Sequence, residues 1–206
     1  MGVKLLGSPR VAWVAVLLGV LLCAPSLGNG LALDDVLHAA RVAGGDPAAG
    51  EMFALFGGED PLFASADAPW WRHEAMRLAL WRPLAAWTHL ADLRLLAPVW
   101  MHVHSLLWYA LLIGVAGRVY GRLMTARWAV GLAVLLFAVD HSHGMVVGWL
   151  AARSGLIGAS LGLLALLAHL RWRDDGWRPG AALAPGLLLL GLLASEGAVA
   201  VCGFFA

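Results

Sequence analysis

Five stretches of the chain, at about 11–28, 100–123, 126–140, 149–171 and 181–206, are apolar and nearly free of charge. A helix needs about 20 such residues to cross a bilayer. Inside lipid every backbone N–H and C=O must be satisfied within the chain, as a helix does. The expectation is an all-α membrane protein, a single membrane domain over 1–206 with about five transmembrane helices and a large outward first loop. The stretch at 126–140 is short and needs a tilt or extended ends. Composition agrees: 61% of residues are hydrophobic, 13% are charged and the mean hydropathy is +0.79, where soluble domains carry about 25% charged residues. A net charge of +1 with no basic stripe argues against nucleic acid as a partner. Cys23 and Cys202 sit in apolar surroundings and read as small hydrophobes. Leu22 before Cys23 argues against lipoprotein processing.

Lys4 and Arg10 precede the first apolar run, as in a signal peptide or a retained helix. No small-x-small cleavage site follows, which favours a retained helix. The next segment, 29–98, holds nine of the 13 acidic residues and is too long to be a mere connection. Met76, Leu80, Leu84, Trp87 and Ala91 recur at helical spacing, with Pro83 placed to begin a helix. Two short amphipathic helices on the membrane surface fit this pattern; a small soluble subdomain is the alternative. Trp100, Trp128, Trp149, Trp172 and Trp177 mark segment edges, as an interfacial belt does. Lys4, Arg10, Arg118, Arg122, Arg127, Arg171, Arg173 and Arg178 gather in the N-terminus and the short connections of one side. The positive-inside rule then makes the N-terminus cytoplasmic, and Asp34 and Asp35 face outward.

Four groups of residues carry possible chemistry. Asp34-Asp35 stands at the outer mouth of the first helix, where paired carboxylates suit general-base work on a hydroxyl. An aspartate there can equally cap the helix that "VLHAARVA" begins. Asp140, His141, His143 and Arg153, in "DHSHGMVVGWLAARSG", fall on the same side. His-x-His beside Asp can bind a metal, though without the ligand count of a defined site, and no metal is expected. Arg153 can snorkel or bind a phosphate. Glu196, amid apolar residues, is a functional candidate by its cost, or sits in the headgroups once the helix has ended. Finally, "GASLG" (158–162) matches the Gly-x-Ser-x-Gly of a serine nucleophile, and rhomboid-type membrane proteases use Gly-x-Ser. Ser160 lies inside an apolar helix, and the only later histidine, His169, is on that same helix.

Taken in order, these features resemble the membrane glycosyltransferases of the GT-C class, among them protein O-mannosyltransferases, tetratricopeptide-linked mannosyltransferases and aminoarabinose transferases. Asp34-Asp35 resembles the acidic pair that opens their outward loop. "WRPLAAWTHLADLRLLAPVWMHVHSLLWYALL" resembles their Tyr-Arg-Pro-Leu segment and His-containing second helix, with Trp81 where tyrosine is usual. "GWLAARSGLIGASLGLLALLAHLRW" resembles their Trp-x-x-x-Arg loop, and "LLASEGAVAV" their Ser-Lys-Glu segment without the lysine. The resemblance implies transfer of a sugar from a polyprenyl phosphate to an outward-facing acceptor hydroxyl. Asp34 or Asp35 would be the base. Arg82, His104, Asp140, His141, Arg153 and Glu196 would bind donor or substrate. No cofactor is implied beyond the lipid-linked sugar. Members of the class are longer, so the chain is expected to be the N-terminal part of such an enzyme, in a bacterial inner membrane. The alternatives are a non-catalytic membrane protein or truncated remnant, and a rhomboid-like intramembrane serine protease.

Overall fold

The computed structural model of the protein describes residues 6–45, 52–56 and 78–205. Met76, Lys4 and the acidic residues from Asp46 to Glu74 lie outside them. The described chain is helical apart from one small antiparallel pair, β1 (Ala54–Phe56) with β2 (Leu78–Ala79). Helix α1 (Arg10–Cys23) runs on through a 3-10 turn, Ala24–Gly28, and α2 (Asp34–Gly44) follows. Helix α3 (Pro83–Leu95) starts on its proline, whose missing N–H would have no partner in a first turn. Then come α4 (Pro98–Leu123), α5 (Arg127–Val139), α6 (Ser142–Gly148), a 3-10 turn Leu150–Ala152, α7 (Arg153–Asp175) and α8 (Gly180–Ala194). A 3-10 helix, Glu196–Phe204, ends the described chain.

Among the described residues, three segments are long and apolar enough to cross a membrane: Arg10–Gly28, Pro98–Leu123 and Leu150–Asp175. Helices α5 and α6 add a fourth if the pair, bent by 53°, counts as one span. The count of about five falls short at the last apolar stretch. Over 181–206 the sequence forms no single helix; α8 has 15 residues, about 22 Å at 1.5 Å per residue. It stops at Ser195, whose extended backbone breaks the helix and whose hydroxyl accepts the Gly197 N–H.

Helix α1 packs on α4 and α5, α4 on α7, and α7 along α8. Ala15, Tyr109, Ile113, Val134, Ala138, Val147 and Leu156 form the main core. The outer faces remain apolar and exposed, with Trp13, Leu17, Leu21, Leu107 and Leu136 uncovered, as lipid-facing helices require. Trp100, Trp128 and Trp172 are likewise exposed at segment edges. At one end of the bundle lies a second, smaller core of Met52, Phe53, Ala85, Ala86, Leu90 and Ala151. Helix α3 buries Ala85, Ala86, His89, Leu90 and Asp92 toward it and leaves Trp87 outside, so the Leu84–Trp87–Ala91 stripe is the outer face of the helix.

The close seam between α7 and its neighbours accounts for "GASLG". Gly158 and Gly162, one turn apart on α7, are buried against α8 and the 3-10 helix that follows it. A Cβ on Gly158 would lie 2.7 Å from Ser195 Cβ, and one on Gly162 3.2 Å from Val201. Ser160 between them is buried and donates to the Trp108 carbonyl, while His169 packs on Trp172 and Phe205. Serine and histidine do not meet, which removes the geometry of a serine protease from this pair.

Candidate functional site

The site lies at the end of the bundle that carries the small core. The chain leaves α1 through Gly30, at φ 64, where glycine alone avoids a steric cost. His102 on α4 fixes this turn by donating from Nε2 to the Gly30 carbonyl at 2.8 Å. Leu33 follows at φ 53, a conformation that costs a branched residue of order 1–3 kcal/mol. The strain sits directly before the acidic pair.

Asp34 and Asp35 are the first two residues of α2, and their environments differ. Asp35 is fully buried. Its Oδ2 accepts the N–H of Ala32 and of Leu150, both at 3.2 Å, and its Oδ1 accepts that of Ala151 at 2.7 Å. The side chain therefore closes the start of α2 onto the turn before α7. Burial pushes its pKa up, and the three backbone donors and the nearby His102 oppose that. Asp34 is half-buried and makes no hydrogen bond or ion pair among the described residues. Burial alone pushes its pKa above the ordinary carboxylate value.

Four elements meet around Arg153, which is 1% exposed. It donates to the Asp92 carboxylate, to the Met101 carbonyl at 3.3 Å and to His89 Nδ1 at 3.2 Å. Trp108 donates to His104 Nε2 at 3.0 Å, and His104 Nδ1 faces Asp92 at 3.0 Å with Arg153 Nη1 2.9 Å from the same nitrogen. With Nδ1 of His89 accepting, its Nε2–H donates to His38 Nδ1 at 3.1 Å. Burial, with the charge of Arg41, holds His38 down at about 4. Burial, with His38 and Arg153, holds His89 down at about 3 against the pull of Asp92. Both rings are neutral at pH 7. Burial raises Asp92, but His104 and Arg153 outweigh it and leave the carboxyl below its usual value.

Arg82, just before α3, approaches the same turn from another side. It donates to Ser154 Oγ at 3.1 Å, and Ser154 in turn donates to the Ala151 carbonyl. Its Nε and Nη2 form a bidentate pair with Glu196. The Glu196 side chain is 65% exposed. Asp35, Arg82 and Arg153 thus all hold residues 150–154, and Glu196 joins through Arg82.

The structure brings together Asp35, Arg82, His104, Arg153 and Glu196 in this way. Asp140 and His141 stand apart from them. Asp140 accepts the Ser142 N–H at 2.9 Å at the start of α6, and His141 is exposed. His143 packs its ring on Tyr109 and Phe137, so the two histidines of His-x-His do not converge. Sequence reasoning passed over His38, His89 and Asp92. The signal for them was spacing: Asp35 and His38, and His89 and Asp92, are each three residues apart, which places each pair on one face of its helix.

No protein-family model matches the sequence, and no solved structure matches it. The sequence is 31% identical over 196 residues to protein O-mannosyl-transferase Tmtc2 of Drosophila melanogaster. That match covers 87% of this chain and 20% of the relative, so the chain spans about a fifth of the relative's length. The similarity is to a glycosyltransferase, at a distant level.

Proposed function

We propose that the chain carries the base-bearing part of a membrane glycosyltransferase that moves a sugar from a polyprenyl phosphate to an acceptor hydroxyl on the outward face. The relative's name makes mannose the first sugar to try and a protein hydroxyl the first acceptor. The observation that carries this reading is the asymmetry of the acidic pair. Asp35 is held by three backbone donors, while Asp34, one residue away, keeps an unengaged carboxylate with a raised pKa. An immobile neighbour and an available base are what deprotonation of a hydroxyl calls for.

In this reading Asp34 takes the proton as the acceptor oxygen bonds to the anomeric carbon. The bond from that carbon to the phosphate oxygen breaks with inversion, and the polyprenyl phosphate departs with the negative charge. Arg82 suits the phosphate better than Arg153 does. The Arg153 guanidinium is sealed in by Asp92, Met101 and His89. Arg82 offers a fork whose present partner, Glu196, is mostly in water. Arg153 then acts from behind, holding the turn that Asp35 and Arg82 grip. The wider setting is a bacterial inner membrane with a cytoplasmic N-terminus.

The test is sugar transfer in proteoliposomes, with polyprenyl-phosphate mannose and a Ser/Thr peptide. Asp34→Asn is expected to lower turnover by about 10²–10⁴-fold while insertion and melting temperature stay at wild-type values. Transfer by wild type that Asp34→Asn leaves unchanged overturns the base assignment.

A further inference from the structure

We propose that Asp35, His38 and His89 form a binding site for one divalent transition-metal ion, zinc by ligand type, which clips α2 to α3. This reading is independent of glycosyl transfer. Asp35 and His38, three residues apart, project from one face of α2, and His89 meets them from α3. One ligand atom from each lies within 4.8 Å of the others. His38 Nδ1 and His89 Nε2 are 3.1 Å apart. Zinc–nitrogen bonds of about 2.0–2.1 Å at a near-tetrahedral angle hold two nitrogens roughly 3.1–3.4 Å apart. The spacing of a hydrogen-bonded imidazole pair and that of two imidazoles on one ion therefore nearly coincide.

Two further observations favour an ion. All three side chains are buried, at 0%, 0% and 2% exposure. Asp35 also retains a place for a metal. Oδ2 accepts two N–H groups and Oδ1 only one, so of about four lone-pair positions one on Oδ1 is open. The donor set then names the metal. Two imidazole nitrogens and one carboxylate oxygen suit zinc, with iron or manganese next, and are wrong for calcium or magnesium.

Arg153 sets the condition the site must meet. With the ion on His89 Nε2, that ring carries its proton on Nδ1, so the contact with Arg153 Nη2 is given up. Arg153 keeps Asp92 and the Met101 carbonyl, and Asp92 offsets the cationic charge that faces the ion. One zinc thus replaces the shared proton, seated to one side of the line between the two nitrogens with each ring turned toward it.

Full-length protein carrying a non-histidine affinity tag, equilibrated with zinc and then desalted, tests this by elemental analysis. About one zinc per chain is expected, falling to background in His38→Gln and His89→Gln. Background metal in the wild type overturns the proposal, as does wild-type metal content in both variants. If the glutamine variants fail to fold, cobalt(II) loaded into the wild type decides. Intense d–d absorption of a four- or five-coordinate ion supports the site, and the faint spectrum of the hexaaquo ion overturns it.

Discussion

Asp34 and Asp35 are the same residue type at adjacent positions, and only the backbone around them makes them different. Asp35 lies where Ala32, Leu150 and Ala151 present N–H groups with no other use, so it takes a structural part. Nothing in the sequence marks Leu150 and Ala151 as its partners, because backbone donors carry no side-chain signature. The same applies to Arg153. As a lone arginine at the start of an apolar stretch it reads equally as a snorkelling residue or a phosphate ligand. Asp92 decides the matter by neutralising it out of reach of water. Removing that carboxylate leaves a buried charge without compensation. Asp92→Asn is expected to destabilise the protein by about 3–5 kcal/mol, read as a large fall in melting temperature in detergent. The folded Asp92 pKa lies below its ordinary value. Its contribution to stability is therefore complete above about pH 4 and is lost as pH falls through the lower, folded value. Melting temperature measured against pH is expected to drop at the acid end for the wild type, and to drop less for Asp92→Asn. An identical acid limb in both proteins overturns this account of the buried pair.

The helices themselves were the most legible part, because apolar runs and prolines act locally. Pro83 and Pro98 each open a helix, and Arg127 begins α5 close to its expected start. The ends were harder to read. Apolar character continues through Ala194 into Cys202, so composition alone shows no stop. The break at Ser195 follows from α8 meeting α7 over glycines, with Gly158 beneath Ser195 and Gly191 beside Ala198. A seam made by backbone approach has no hydrophobic pattern of its own, and "GASLG" carries it under the guise of a nucleophile motif. Gly158→Val is expected to cost about 1–3 kcal/mol by overpacking, as there is no free volume at Ser195. Gly155, where a Cβ meets nothing within 4 Å, is the control. Gly155→Ala is expected to leave stability unchanged or raise it by up to about 1 kcal/mol. Equal melting temperatures for the two variants would refute the seam as the cause.

Across the whole molecule, charge divides by end. Arg118, Arg122, Arg127, Arg171, Arg173 and Arg178 collect at the end opposite the site, where Arg122 and Asp175 form a bidentate pair. The orientation proposed from the positive-inside rule, with that end in the cytoplasm, is open to a direct test. In right-side-out vesicles of a chain with Cys23 and Cys202 replaced by alanine, His141→Cys is expected to react with an impermeant maleimide. Asp174→Cys is expected to react only after permeabilisation. The reverse pattern would turn the molecule over and place Asp34 in the cytoplasm.

The clasp between Asp35 and the N–H groups of Leu150 and Ala151 joins positions 115 and 116 residues apart. A ribosome adding about 5–20 residues per second takes roughly 6–23 seconds to travel from one to the other. Through that interval the acidic pair has emerged but its donors have not been made, and burying Asp35 early would leave a carboxylate without partners. Helix α2 consequently cannot settle until the turn before α7 has been delivered to the same side of the bilayer. The pair reaches its final state only when a later segment has been threaded in the correct direction. A chain inserted with one hairpin reversed would carry every residue of the site and never assemble it.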